Sequence, residues 1–165
     1  MFDTDDARGL QGAQRAGGNR FAVVVSRFNL EITGGLLAGA LAALDEAGVT
    51  PEARTVVWVP GAFELPVTAQ RLAESGRYDA VVCLGCVIKG DTMHFEYIAD
   101  SVTHAVAQVA VESGVPVAFG VLTTLTEEQA VVRSRPDDQN KGAEAARAAI
   151  EMASLFRSLD ERPPA

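Results

Sequence analysis

The sequence predicts an α/β fold: a single-domain, three-layer α/β/α sandwich around a mainly parallel four-stranded sheet. Three observations predict it. Four short apolar runs recur along the chain, at Phe21–Val25, Arg54–Val59, Ala80–Ile88 and Val117–Leu122. Each is close to continuously apolar, as strands covered on both faces are. Between them lie segments with apolar residues at helical spacing, and strands alternating with helices build a parallel sheet.

In order, Phe21-Ala22-Val23-Val24-Val25 is the first strand and Ser26-Arg27-Phe28-Asn29 the loop after it. Ile32, Leu36, Leu37, Ala40, Leu41 and Leu44 share one face of a helix over Ile32–Ala47, which Gly48 ends. Arg54–Val59 is rich in β-branched residues and is broken by Pro60-Gly61. A helix over Glu64–Ser75 buries Leu65, Ala69, Leu72 and Ala73. The third strand, Ala80–Ile88, stops at Lys89-Gly90. Its helix, Phe95–Ser113, turns Phe95, Ile98, Ala99, Val102, Ala105, Val106 and Val109 inward, and Gly114 caps it. Val117–Leu122 is the fourth strand. Helices over Thr126–Arg133 and Lys141–Ser158 complete the chain, joined by Ser134–Gln139. Residues 1–19 are polar, glycine-rich and without periodicity, which predicts a flexible arm or one that orders only against a partner chain. The domain proper then covers 20–158, and 159–165 form a polar tail.

At 165 residues the chain is one domain with one real core. A net charge of −8 and a pI near 4.7 argue against a nucleic-acid partner, which calls for a basic footprint. They leave room for an anionic small molecule, because a few local cations overrule a remote negative background. No apolar run is long enough to span a bilayer. The acidic start, Met1-Phe2-Asp3-Thr4-Asp5-Asp6, lacks the order of a signal peptide, so a cytoplasmic location is expected. Cys83 and Cys86 form a Cys-x-x-Cys pair, the spacing of a redox dithiol or half a zinc site. They lie inside a strand, however, and an odd spacing sends the sulfurs to opposite faces. Two reduced, buried cysteines and no metal site is the better reading.

In parallel-sheet folds ligands bind outside the carboxyl ends of the strands. Chemistry-capable residues concentrate in the loops there, above all in Gly85-Cys86-Val87-Ile88-Lys89-Gly90-Asp91-Thr92-Met93-His94-Phe95. A strand, a short polar loop and a helix start follow in series. Free amide N–H groups at such a start attract anions, and Gly90 allows close approach. A histidine beside it points to acid–base chemistry on a phosphorylated molecule. His104 is the contrast: it lies with Asp100, Ser101 and Gln108 on the polar face of its helix and reads as solvated.

These blocks resemble one family. Arg27-Phe28-Asn29, Val59-Pro60-Gly61-Ala62-Phe63-Glu64-Leu65-Pro66, Leu84 through Tyr97, Phe119-Gly120-Val121-Leu122-Thr123, Glu128-Gln129-Ala130 with Arg133, and Asn140-Lys141-Gly142 are similar to 6,7-dimethyl-8-ribityllumazine synthases, in order and at family spacing. The resemblance implies a flavodoxin-like fold. It also implies condensation of 5-amino-6-(D-ribitylamino)uracil with 3,4-dihydroxy-2-butanone 4-phosphate, a transferase step of riboflavin biosynthesis that uses no cofactor.

By that resemblance His94 is the catalytic proton carrier. Phe28 stacks on the pyrimidine, Glu64 accepts from ribityl hydroxyls, and Ala62 and Phe63 offer backbone. Cys86, Val87 and Ile88 present backbone groups to the uracil edge. Gly90, Asp91 and Thr92 cradle the phosphate, Arg133 closes on it, and Phe119 and Lys141 complete the set. Taken singly, Phe28 and Phe119 read as core, Glu64 as a helix-dipole partner, Asp91-Thr92 as N-capping and Arg133 as a surface arginine. The family assembles as a homo-oligomer, a pentamer or a sixty-subunit shell, with Phe119 and Arg133 supplied by a neighbour. Proline and two acids in Ser134–Gln139 depart from the shell-formers and favour an isolated pentamer. The other readings are a non-catalytic flavin or lumazine binder and a shell-forming protein.

Overall fold

The structure is a computed structural model and describes residues 9–161. Its strands are β1 (Phe21–Ser26), β2 (Arg54–Val59), β3 (Ala80–Ile88) and β4 (Val117–Thr124). They alternate with α1 (Leu30–Glu46), α2 (Leu65–Ala73) and α3 (His94–Ser113), and α4 (Glu127–Ser134) and α5 (Lys141–Asp160) follow. The strands pair in the order β2-β1-β3-β4, all parallel, in a flavodoxin-like α/β fold. The chain winds outward from β1 to β2, then crosses to β3. The order therefore reverses between β1 and β3, which is where such sheets open a crevice.

Strand alternation divides the core into two layers. Phe21, Val23 and Val25 pack with Val82, Leu84 and Cys86 under α1, α4 and α5. Ala22, Val24, Val81 and Cys83 pack under α2 and α3. The two cysteines thus sit on opposite faces, both unpaired and buried. Burial pushes the Cys83 thiol up to about 12 and the Cys86 thiol up to about 11. Neither is expected to react with an aromatic disulfide reagent at pH 8 until the protein is unfolded; rapid labelling of the native state would contradict this. The unfolded thiols ionise near pH 8.5 while the folded ones do not. Their contribution to stability is therefore whole below that pH and declines above it.

α1 and α5 approach closely because glycine lines the contact. A Cβ on Gly142 would collide with the Leu36 carbonyl, and one on Gly39 with the Asn140 side chain. Asn140 is buried and caps α5: its Oδ1 accepts from Ala143 N–H at 3.0 Å. Its Nδ2 donates to the carbonyls of Gly35, Ser134 and Arg135 at 2.9–3.1 Å.

Several boundaries differ from the sequence reading. The expected helix at Glu64–Ser75 is a 3₁₀ turn, Ala62–Glu64, followed by the shorter α2, with Pro66 in its first turn. β4 runs on to Thr124 because β3 offers partners as far as Ile88. α5 continues to Asp160, so the expected tail at 159–165 begins inside a helix. Phe95, Ile98, Ala99 and Ala105 are only half-buried; of the α3 face, Val102, Val106 and Val109 are buried. The expected arm is not free where it is described. Ala13 N–H donates to Ser154 Oγ (3.1 Å), Gln14 Nε2 to Arg147 O (2.9 Å) and Ala16 N–H to Ala47 O (2.8 Å). A stretch that lies irregularly on other elements, with a turn at Gly17-Gly18, has no periodicity to betray it. The remaining residues of the arm and tail, 1–8 and 162–165, lie outside the described residues.

Candidate active site

The crevice begins with unequal strand lengths. β1 pairs with β3 only as far as Leu84, whereas β4 follows β3 to Ile88. Among the described residues, no strand neighbours the β1 side of β3 beyond Leu84. Successive residues of a strand direct their amides to alternate sides. Lys89 N–H donates to Thr124 O on β4 (2.9 Å), whereas Cys86 O accepts from Asn29 on the other side (3.1 Å). Cys86 and Ile88 therefore turn their backbone groups toward the crevice, while those of Val87 face β4.

The β1 loop is pinned across this opening. Arg27 N–H donates to Val59 O (2.8 Å) and Phe28 N–H to Pro60 O (3.1 Å). Asn29 takes a left-handed conformation (φ 60°), which asparagine tolerates better than most residues, while its Nδ2 reaches the end of β3. So held, the Phe28 side chain is 69% exposed, which removes its reading as a core residue.

Phe28 walls a cleft of about 370 Å³. Ala62, Phe63 and Glu64 form a second wall, and Cys86, Val87 and Ile88 lie at its strand side. Glu64 Oε2 accepts from Gly61 N–H (3.0 Å), which fixes the carboxylate at the turn. Among the described residues no donor lies on its other oxygen, so a hydroxyl can be received there. Gly90, Thr92 and His94 close the far side. His94 is the first residue of α3, and its N–H leans on Thr92 Oγ1 at 3.4 Å. Asp91 is exposed and does not line the cleft.

Three lining residues went unassigned in the sequence: Gly61, Phe95 and Ile98. Phe95 and Ile98 read as core because their spacing is helical. The signal available was proximity, since Phe95 follows His94 and Ile98 lies one turn beyond it.

Phe119, Arg133 and Lys141 are elsewhere. They line a separate groove of about 330 Å³ along the outer edge of β4. Phe119 is 42% exposed, which argues against a core role. Arg133 Nη1 donates to Gln129 O (2.9 Å), one turn back on α4. No carboxylate pairs with Arg133 among the described residues. Lys141 is compensated by Glu144 of its own helix, which makes it the weaker of the two as an anion ligand. An apolar groove of about 440 Å³, lined in part by Val111, Val117, Met152 and Phe156, continues along the same edge, which no further strand pairs among the described residues. His104 stands apart, exposed on α3 with its Nδ1 near the Asp100 carbonyl (2.9 Å) and carboxylate (3.3 Å).

Each cleft can do part of a reaction. The first offers an aromatic wall, backbone donors and acceptors, a fixed carboxylate, and a helix start beside an imidazole. The second offers an uncompensated guanidinium suited to a phosphate. Fold and site together define an α/β protein with a candidate cleft at the switch point of a parallel sheet and a separate cationic groove along the outer edge of β4. A model of the 6,7-dimethyl-8-ribityllumazine synthase family matches residues 18–157, and the chain belongs to that family. Membership implies a transferase of riboflavin biosynthesis. Among the described residues, no helix is long and apolar enough to cross a membrane.

Proposed function

We propose that the chain joins 5-amino-6-(D-ribitylamino)uracil to 3,4-dihydroxy-2-butanone 4-phosphate, giving 6,7-dimethyl-8-ribityllumazine, phosphate and water. We further propose that it works as a homopentamer whose site forms between neighbours. The observation that carries this reading is the split of the candidate residues. Among the described residues, the Phe28–Glu64–His94 cleft has no arginine in its lining, and the groove with Arg133 and Phe119 lies on the outer edge of β4, which no further strand pairs. An exposed strand edge continued by an apolar groove favours a partner surface. A second copy that set this edge against the first cleft would complete one site.

In that site Phe28 stacks on the pyrimidine, whose edge meets the backbone of Cys86 and Ile88. Glu64 accepts from the ribityl chain. The butanone phosphate lies against the amides of Gly90–Thr92 and under the neighbour's Arg133. The amine attacks the ketone and a water leaves to give an imine, phosphate is eliminated, the resulting enol tautomerises to a ketone, and ring closure by the second amine expels a second water. His94 carries protons between these steps. Holding two reactants together removes the entropy of their encounter and supplies the larger part of the acceleration. His94→Ala is therefore expected to slow turnover by about ten- to a hundred-fold, leaving measurable activity. The readout is the lumazine's absorbance and green fluorescence after both substrates are mixed. An unchanged His94→Ala rate would remove the proton-carrier role, and a wild-type chain that yields no lumazine would remove the reaction.

A further inference from the structure

One charged pair beside the cleft has no part in that scheme. Lys89 follows the last residue of β3, Glu96 lies in the first turn of α3, and Lys89 Nζ meets Glu96 Oε1 at 3.0 Å. Between them run Gly90, Asp91, Thr92, Met93 and His94, all exposed, and the half-buried Phe95. This loop has few ties of its own. His94 N–H leans on Thr92 Oγ1 at 3.4 Å and Tyr97 N–H reaches Met93 O at 3.3 Å, both long for such bonds. Its strand end is anchored, because Lys89 N–H donates to Thr124 O at 2.9 Å. The ion pair spans the loop from this anchor to the helix that begins with His94.

We propose that Lys89 and Glu96 form a clasp that fixes the shape of the Gly90–His94 loop, and that both are positioning residues for the phosphorylated substrate. The second half of the proposal rests on the assignment of this loop to the phosphate. Two observations set the pair apart from an ordinary surface bridge. The side chains are only 47% and 36% exposed. Among the described residues, Glu96 Oε2 is buried with no hydrogen-bond partner, and Lys89 is the cation that compensates this carboxylate. The hydrogen bond from Lys89 also holds the Glu96 carboxyl below the usual carboxylate range. A lysine so engaged is not free to meet the phosphate as a point charge. Its effect on the anion passes through the loop amides it holds in place.

The competing idea, that Glu96 only masks a phosphate-binding lysine, predicts the opposite sign. The test compares the full-length wild type with Lys89→Met, Glu96→Gln, the double variant and Lys89→Arg. Steady-state kinetics are followed for each substrate, with inorganic phosphate affinity and amide hydrogen exchange over 90–94. The clasp predicts that either single loss raises KM for the butanone phosphate about three- to five-fold, the range a half-exposed ion pair can supply. KM for the pyrimidine and kcat stay close to wild type. The double variant should be no worse than a single one, as partners in one interaction behave. Lys89→Arg should restore wild-type values, and exchange over 90–94 should quicken in the variants that lose the pair. A lower KM in Glu96→Gln, or additive losses in the double variant, would overturn the proposal. A wild type that makes no lumazine would defeat the substrate reading alone. In that event phosphate affinity and exchange rates still decide the clasp, and unchanged values in all variants would overturn it.

Discussion

Arg133→Ala is expected to lower kcat/KM for the butanone phosphate by about two to three orders of magnitude, as loss of a charge-assisted partner of a bound dianion does. The guanidinium is the one cation of its groove without a carboxylate partner among the described residues, and it is steadied on Gln129 O. Lys141 is a poor substitute because Glu144 engages it. Arg133→Lys should recover only part of the loss, since an ammonium cannot match the planar fork. KM for the pyrimidine should move little, because that substrate is assigned to the other cleft. The shared site gives a sharper test. Arg133→Ala chains keep an intact Phe28–His94 half, and His94→Ala chains keep an intact Arg133 half. Co-assembled in equal amounts, they would present two unmutated halves at about one quarter of the contacts in a cyclic assembly. Activity in the mixture well above that of either variant supports a site between copies. A mixture no better than the average of its parts would remove the site between copies, and an unchanged kcat/KM in Arg133→Ala itself would return Arg133 to the status of a surface arginine.

Much of this was legible from local rules. Apolar runs bounded by Gly, Pro and polar loops located all four strands, and the odd spacing of Cys83 and Cys86 foretold their opposite faces. His94 at the start of α3 followed from an apolar strand that ends at Lys89-Gly90. What stayed hidden depends on tertiary placement. Phe28 looks like core until the hydrogen bonds of its loop to β2 hold it at the cleft mouth. Phe95 and Ile98 carry a core signature, yet they line the cleft because α3 begins at its rim. That Arg133 and His94 belong to different clefts follows from the sheet order and the open edge of β4, which no spacing encodes. The packing of Ala13–Asn19 against its own chain was hidden for the same reason.

Asn140→Ala should produce the largest loss of stability, about 3 kcal/mol. Loss of an N-cap accounts for about 1 kcal/mol and carbonyls left unpaired in a buried place for the rest. In a chain of this size that corresponds to a fall of roughly 6–12 °C in Tm, measured at equal protomer concentration. The side chain joins three elements: it caps α5 through Ala143 N–H, holds Gly35 O of α1, and holds Ser134 O and Arg135 O where α4 ends. The last two matter for function, because Arg133 lies on the turn that they close. The variant should therefore lose affinity for the phosphorylated substrate at temperatures where it is still folded, with the Phe28 cleft less affected. Asn140→Asp separates the two roles. It keeps the cap acceptor but brings a carboxylate, without the donor, against three carbonyl oxygens, so it should be as destabilising as alanine or more so. If Asn140→Asp were as stable as wild type, the donated hydrogen bonds would not be what holds α4 and α1 to α5. The close fit of Gly39 and Gly142 would then be left as the source of that contact.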